Sequence, residues 1–499
     1  MKNNFKEIPG SIVSPIGFRT SGVFCDIKRL GTGKGSNKGQ KRDLALIVSE
    51  VPATVAGMFT TNQVCAAPVK VCVERVKKGV AQAVVVNSGN ANACTGKQGL
   101  RDAREMTRWA AEALGCSVGC SLRRSLWRSL DPQPTRSRGD TRRYNIKKEH
   151  VLVGSTGRIG VTLPMANVKR GIVEAVKFLG KSSRHAAQAV EAIMTSDTRP
   201  KQIAVEFKLG GKTVRMGGIC KGAGMIQPGM SATGKRPAAT ALHATMLCFI
   251  TTDAVIEAKF LQAALQEAVA QSFNRITVDG DMSTNDTVLI LANGLAGNPL
   301  LGGRASARAQ ISRSQGSSGA SPSRDLAVFQ AALNHVCLEL AKMIVRDGEG
   351  VHRVVTVRVC GAKSVADADA AARAVANSPL VKTSWHGGDP NWGRIIDALG
   401  YSAAKVVEEK VDIGYGSAFA SGASARQAGT GNILWSLKRG QPTKATFKQL
   451  CAAVAPKEFD LHINLNLGNA GAVIYAADLT EAYVDFNKGD ITSPTSLGG

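Results

Sequence analysis

Short apolar runs separated by polar, glycine-bearing turns dominate the chain, and most of these runs have the length of a β-strand. Two of the runs flank Gly210-Gly211 and predict a hairpin. A strand, a small polar turn and a helix follow one another repeatedly, which is typical of α/β layers with functional groups at the turns. The predicted strands are Asp43–Val51, Val55–Phe59, Ala83–Val86, Val151–Val153, Gln202–Leu209, Thr213–Met216, Val288–Ala292, Val351–Val359, Leu461–Leu467 and Ala472–Tyr475.

Apolar side chains that recur every three or four residues predict helices between these strands. The segment from Trp385 to Ile395 contains glycine and tryptophan without that spacing, and we expect a loop there. The polar segments Asn87–Gly96 and Gly154–Gly160 each follow a predicted strand and are expected to be turns. The predicted helices are Gly99–Leu114, Val168–Leu179, His185–Met194, Ala258–Ser272, Asp325–Ile344 and Asp367–Asn377.

The stretch from Lys221 to Ala254 carries the first candidate chemistry. Thr245 stands immediately before the apolar run Met246–Ile250, after a glycine-rich approach. A hydroxyl at the start of a buried element can serve as a nucleophile when a base lies nearby. A threonine in this position is more often a simple cap, so the pattern alone leaves both roles open.

Composition limits the class of protein. The chain has 499 residues, 44% of them hydrophobic, which is enough for two or more globular domains. It has no run of 18 apolar residues, so we expect no membrane-spanning helix. Met1–Gly10 lacks the apolar core of a secretory signal. The 11 cysteines form no CxxC pair, which predicts neither a zinc site nor a disulfide framework and fits a reducing compartment.

The formal net charge of +25 raises the question of a nucleic-acid partner. Much of this charge lies in three segments rich in Ser, Arg, Gly and Pro, at 116–148, 231–243 and 303–324. These segments lack periodicity and are predicted to be solvated loop insertions. We therefore expect neither a membrane nor a nucleic-acid partner, with a basic RNA- or membrane-binding patch as the alternative.

Three other motifs are assigned structural roles. Gly229–Lys235 spells GxxxxGK, but Arg236 stands where a phosphate loop needs Ser or Thr. Asp279–Thr287 holds three carboxylates without the spacing of a calcium loop, so we expect a turn held by Asx and hydroxyl hydrogen bonds. The seven histidines are isolated from one another in the sequence, and no metal site is predicted from them.

Taken together, the ordered motifs resemble those of the bifunctional glutamate N-acetyltransferase family of arginine biosynthesis, also called ornithine acetyltransferase, over nearly the whole chain. The motifs that carry the resemblance are Gly17-Phe18, Gly22-Val23, Asp43–Phe59, Val85–Gly96, Ser155–Gly157, Met194–Asp197, Lys221–Ile226, Ala244–Ala254, Asp279–Asp286, Val345–Gly350 and Asn391–Ile395.

The resemblance implies an α/β fold of layered mixed sheets in two domains, of the ornithine acetyltransferase type. It also implies self-cleavage between Ala244 and Thr245, which gives an N-terminal fragment 1–244 and a C-terminal fragment 245–499. Two copies of each are expected to assemble as a heterotetramer. The new N-terminal Thr245 would accept the acetyl group of N-acetylornithine and pass it to glutamate. No cofactor is implied, although acetyl-CoA could serve as a second acetyl donor.

The resemblance also assigns residues. Thr156 and Gly157 are expected to stabilise the negative oxygen that develops on the acetyl carbonyl, beside the nucleophile Thr245. Lysine and hydroxyl groups suit a substrate carboxylate, and a glutamate suits the ornithine ammonium. The residues implied in substrate binding are Thr195, Lys221, Thr245, Glu349, Asn487 and Thr492.

Two departures from the family pattern bear on activity. Ser231–His243 is extra and stands directly before the bond that must be cleaved, where self-cleavage needs an aligned, strained turn. Val351-His352 replaces the usual Ala-Thr after Gly350. Two alternatives therefore stay open, namely a related amidohydrolase or aminopeptidase with an N-terminal nucleophile, and an inactive, unprocessed basic binding protein. The expected location is the cytoplasm, or a mitochondrion or plastid if a transit peptide is missing.

Overall fold

The computed structural model describes residues 4–28, 41–115, 144–235, 246–302, 322–417 and 433–488. They form two mixed β-sheets covered by helices, which confirms the predicted α/β layering. The strands are β1 Phe5–Glu7, β2 Phe18–Val23, β3 Leu44–Thr60, β4 Val80–Asn90, β5 Val151–Arg158, β6 Lys201–Leu209, β7 Lys212–Lys221, β8 Met230–Ser231, β9 Leu247–Thr252, β10 Ile276–Thr277, β11 Thr287–Ala292, β12 Val354–Ala362, β13 Asp412–Ser417, β14 Leu434–Lys438, β15 Gln441–Pro442, β16 Glu458–Asn464 and β17 Ala470–Ala477.

Helices connect the strands of both sheets. Three short 3₁₀ helices, at Lys148–His150, Phe273–Arg275 and Glu408–Lys410, complete the described secondary structure. The α-helices are α1 Ala67–Val76, α2 Gly96–Gly115, α3 Met165–Lys177, α4 Ser183–Ile193, α5 Ala258–Gln271, α6 Pro322–Arg346, α7 Val365–Asn377, α8 Pro379–Gly387, α9 Trp392–Gly400, α10 Phe447–Val454 and α11 Glu481–Asn487.

The larger sheet has ten strands in the order β1-β6-β7-β9-β11-β3-β4-β5, with β2 and β8 also paired to β3. Every residue of β9 and β11 is buried, because helices cover both faces of the sheet. One core lies between the sheet and α1–α4, and a second lies between the sheet and α5 and α6. This double cover places the ends of the central strands in the interior of the protein.

The smaller sheet has the order β10-β17-β12-β16-β13-β14-β15 and packs against α7–α10 around a third core. In β12, buried and partly exposed residues alternate along most of the strand, the period-2 pattern of a sheet that buries one face more deeply. The described residues thus contain two sheets with distinct cores, as expected for a two-domain architecture.

Among the described residues, one helix segment, Arg324–Arg346 of α6, has the length and hydropathy of a membrane span. Its side chains Phe329, Leu333 and Val336 are fully buried against the larger sheet. The apolar character of α6 is therefore explained by core packing.

Several local predictions are wrong. The turn expected at Asn87–Gly96 begins inside a strand, because β4 continues to Asn90. The segments Asp43–Val51 and Val55–Phe59 form one strand, β3, because Pro52 lies exposed at a shift in the β3–β4 register, where a missing N–H is tolerated. The loop expected at Trp385–Ile395 instead belongs largely to α8 and α9. Pro379 occupies the first turn of α8, and the side chain of Asn391 caps α9 by accepting the Arg394 N–H.

The predicted boundary between the fragments, at residues 244 and 245, lies outside the described residues, as do 116–143, 236–243 and 303–321 of the predicted insertions. The remaining parts of those segments are described. Met230–Ser231 forms β8 against the end of β3, and Pro322 begins α6.

Candidate active site

The end of β5 holds Thr156 and Gly157. The sequence predicted a turn here, but β5 continues to Arg158 alongside β4, so both residues lie in a strand. Gly157 has a φ of +129°, and a Cβ at this position would lie 2.4 Å from the carbonyl carbon of Gly89. Only glycine fits such a close approach without strain. Thr156 is buried beside it.

The Asp279–Thr287 segment packs against this strand end. The Asn285 side-chain amide donates to the Ser155 carbonyl at 2.8 Å and to the Ala91 carbonyl at 2.7 Å. Within the segment, the Asn285 N–H donates to the Ser283 hydroxyl at 2.9 Å, in the type of side-chain turn that was predicted. The segment therefore fixes its own shape and is tied to the end of β5.

Asp286 is a buried carboxyl group that links this segment to the start of β9. Its Oδ1 accepts a hydrogen bond from the Met246 N–H, and the Thr287 N–H donates to the Met246 carbonyl at 3.1 Å. Burial raises the pKa of Asp286 well above its usual value, although the Met246 N–H and the Lys221 ammonium act in the opposite direction. Its Oδ2 has no hydrogen-bond partner in the described part of the chain. Ala244 and Thr245 lie outside the described residues. Met246, to which Asp286 is hydrogen-bonded, is the residue that directly follows the predicted nucleophile.

Lys221 lies at the end of β7, where its backbone pairs with Leu247 of β9. Its Nζ is 4.0 Å from Asp197 Oδ2, and the side chain is almost completely buried. Burial lowers the pKa of Lys221, and the Asp197 carboxylate is the strongest opposing influence. The Glu349 and Asp286 carboxylates also oppose the shift, which places three acidic groups around one buried amine.

Asp197 is the centre of a buried ion-pair network. Its Oδ1 accepts from Lys201 Nζ at 2.7 Å and from the Gly222 N–H at 2.7 Å, and its Oδ2 accepts from the Thr195 N–H at 2.9 Å. Burial alone would raise the pKa of Asp197, but the Lys201 and Lys221 ammonium groups outweigh it and lower that pKa. Lys201 also pairs with Asp347. The network thus fixes the backbones of Thr195 and Gly222, next to Lys221.

Glu349 completes the group. Its N–H donates to the Ala223 carbonyl at 2.9 Å, and Asn487 Nδ2 of α11 donates to its Oε2 at 3.1 Å. A Cβ on Gly224 would lie 2.4 Å from that carboxylate, so the glycine lets Glu349 pack directly on the turn after Lys221. Thr492 lies outside the described residues.

The structure therefore brings together four predicted substrate residues, Thr195, Lys221, Glu349 and Asn487, from four separate segments. Thr156 and Gly157 join them through the segment that holds Asn285 and Asp286. The sequence reasoning missed the buried groups Asp197, Lys201, Asp286 and Asp347 as parts of the site. Asp286 reaches Lys221 through the pairing of β7, β9 and β11, and Asp347, after α6, reaches Lys201 at the start of β6. No local pattern reveals these long-range contacts.

Comparisons with known proteins agree on one family. The profile of the ArgJ family matches residues 25–125 and 136–491. The arginine biosynthesis bifunctional protein ArgJ of Symbiobacterium thermophilum is 42% identical over 481 residues, which cover 96% of this chain and 98% of that protein. The glutamate N-acetyltransferase of Methanocaldococcus jannaschii is 38% identical over 487 residues, covering 97% and 98% of the two chains.

Two solved structures also match part of the chain. The ArgJ crystal structure from Bacillus halodurans is 35% identical with a TM-score of 0.37, and covers 46% of this chain and all of its own. The ornithine acetyltransferase of Mycobacterium tuberculosis, solved with ornithine, is 32% identical with a TM-score of 0.36 and the same coverage. Since the family profile and relatives at about 40% identity extend over nearly the whole sequence, the chain belongs to the ArgJ family.

Proposed function

We propose that the chain transfers the acetyl group of N2-acetyl-L-ornithine to L-glutamate, giving L-ornithine and N-acetyl-L-glutamate. The observation that carries the proposal is the similarity to bifunctional ArgJ proteins and a glutamate N-acetyltransferase along more than nine-tenths of the chain. The grouping of Thr195, Lys221, Glu349 and Asn487 supports it, because these side chains offer both a cation and an anion to an amino-acid substrate.

The proposed nucleophile is the hydroxyl of Thr245, freed by self-cleavage after Ala244. A threonine hydroxyl needs a base, and its own α-amine, with a pKa of about 8, can take the proton only after cleavage. Thr245 Oγ bonds to the acetyl carbon, the C–N bond to ornithine breaks, and the proton moves to the departing amine. The glutamate amine then attacks the resulting ester, and Thr245 Oγ regains its proton.

Thr156 and Gly157 are the proposed donors to the oxygen that becomes negative in both steps. The support for this role is their fixed position, since Asn285 ties the end of β5 to the segment that holds the Met246 N–H. One such donor typically contributes about 3 kcal/mol of transition-state stabilisation.

For substrate binding, we assign the α-carboxylate to Lys221 and Thr195 and the side-chain ammonium of ornithine to Glu349. Asn487 holds the Glu349 carboxylate through its amide, and Thr492 is the further proposed contact. The name of the S. thermophilum relative includes "bifunctional", and we extend the proposal to acetyl-CoA as a second donor that acetylates glutamate directly.

We further propose an assembly of two copies of each fragment, located in the cytoplasm. The location is supported by the cysteines, since the nine in the described residues are all free, as expected where thiols stay reduced.

The test combines denaturing electrophoresis with an acetyl-transfer assay on the purified chain. We expect two fragments that meet at 244/245, and acetyl transfer to glutamate that is faster than hydrolysis to acetate. Thr245→Ala should abolish cleavage and transfer, with Thr233→Ala, in an exposed turn, as the matched control. Full activity of Thr245→Ala would refute the mechanism. A single band at 52.3 kDa would refute processing, and acetate as the main product would indicate an amidohydrolase.

A further inference from the structure

A second cluster of potential ligands lies in the part of the chain that contains the smaller sheet. His352 lies between α6 and β12, His386 is in α8, and Asp478 directly follows β17. One ligand atom from each lies within 4.8 Å of the others. The three residues are far apart in the sequence, so the fold alone brings them together.

Two of these ligand atoms are buried and lack hydrogen-bond partners within the described residues. They are His386 Nδ1 and Asp478 Oδ2, and the Asp478 side chain has no solvent exposure. The two atoms face each other at 3.6 Å, which is too long for a hydrogen bond. Zinc binds imidazole nitrogen and carboxylate oxygen at about 2.0–2.2 Å, so two ligand atoms up to about 4 Å apart can share one ion.

Glu481 determines which nitrogen of His386 can act as a ligand. Its Oε2 lies 2.9 Å from His386 Nε2, so that nitrogen carries the hydrogen and donates it to the carboxylate. The Nδ1 lone pair then points towards Asp478. A carboxylate that orients a histidine through its other nitrogen is the usual outer partner of a metal-binding imidazole. A cation between Nδ1 and Oδ2 would give both atoms a partner.

His352 supplies the third ligand. Its ring is exposed and meets the His386 ring edge-on with the centroids 5.5 Å apart, so it can rotate towards the ion. Its backbone N–H donates to Asp478 Oδ1 at 3.0 Å, which leaves Oδ2 for the metal. Two histidines and one carboxylate with a fourth position open to solvent form a common zinc ligand set. We propose that His352, His386 and Asp478 bind one zinc ion.

The proposed ion would join α8 to two segments that support the candidate active site. His352 is three residues beyond Glu349, and the Thr480 hydroxyl donates to the Gly350 carbonyl at 2.7 Å. Thr480 also caps α11, whose Asn487 holds Glu349. Zinc would therefore stabilise the contact between the Glu349 turn and α11. Zinc binding itself does not depend on the proposed acetyl transfer.

The experiment uses the full-length chain without a histidine tag, stripped with a chelator and titrated with zinc sulfate. We expect one zinc per chain by elemental analysis and a rise in the thermal midpoint on zinc addition. Replacing zinc by Co²⁺ should give the visible absorption of a four-coordinate site. Glu481→Ala should weaken zinc binding about 10–100-fold, because it removes the outer partner of His386.

His352→Gln and His386→Gln should each abolish binding at an equimolar zinc ratio. His352 is exposed, so its variant should fold normally, and circular dichroism checks both. His335→Gln is the matched control, since His335 pairs with Glu7 elsewhere in the fold. Failure to bind zinc at equimolar ratio, or unchanged binding by both histidine variants, would overturn the proposal. An imidazole of His386 that is doubly protonated and insensitive to zinc in NMR spectra would also overturn it.

Discussion

Replacing Asp286 by asparagine should make the protein more stable at neutral pH. The carboxyl is completely buried, its Oδ2 has no partner among the described residues, and burial raises its pKa well above the usual value. Asparagine has nearly the same shape and keeps an oxygen that can accept the Met246 N–H. The substitution therefore removes the ionisable group while preserving the hydrogen bond from the Met246 N–H.

The direction and size of this change in stability follow from the linkage between protonation and folding. A carboxyl whose pKa is raised in the folded state stabilises that state fully only below its unfolded pKa, about 3.9. As the pH rises from there to the folded pKa, the free energy of unfolding falls by about 1.4 kcal/mol per pH unit. Asp286→Asn should lose this dependence, so its advantage over aspartate should grow across that window and then level off.

The assay measures thermal midpoints by calorimetry from pH 4 to pH 8. Both proteins carry Thr245→Ala, so that the chain stays in one piece and the two unfolding reactions are comparable. Taking the difference between them cancels the titrating groups that do not interact with Asp286. Asp281→Asn in the same segment is the control, because Asp281 is exposed. A difference between Asp286→Asn and its parent that does not change with pH would refute the reasoning.

The other predictions concern the strand end and the ion-pair network. Gly157→Ala should lower kcat and the thermal midpoint, because the new Cβ would meet the Gly89 backbone. The control is Gly160→Ala, which also has a positive φ but lies in open space. It should lower the free energy of unfolding by only about 1 kcal/mol. Equal effects of the two would contradict this. Lys201→Met should destabilise the protein by about 3–5 kcal/mol in calorimetry, since it removes the ammonium group that pairs with two buried carboxylates. The control Lys208→Met, at an exposed position, should cost less than about 0.5 kcal/mol.

Elements with strong local signals were predictable from the sequence. The hairpin of β6 and β7 was placed within a residue at its turn, where Gly210 and Gly211 both adopt positive φ. The length of β5 could not be predicted, because Ser155, Thr156 and Gly157 are residue types that favour turns. They remain in a strand because β4 pairs with them and because the Asn285 side-chain amide donates a hydrogen bond to the Ser155 carbonyl.

The site was predictable only in part, for a similar reason. The motifs shared with the family pointed to Lys221 and Glu349, and the structure brings both together. The roles of Asp197 and Asp286 depend on which strands become neighbours, and the register of a parallel pair such as β9 and β11 leaves no mark in either strand. The histidine cluster was missed likewise, since its ligands come from three distant segments.

The extra residues before position 245 need not prevent cleavage. On one side, β8 and Gly234 lie against Thr60 at the end of β3. On the other side, Met246 is held by Asp286, whose carbonyl accepts the Thr60 N–H at 2.8 Å. The described residues on both sides of the extra segment therefore lie near one strand end, the end of β3. Doubling the length of a loop that joins two such points costs only about 0.6 kcal/mol. The length of the segment before residue 245 is therefore a weak argument against the predicted cleavage.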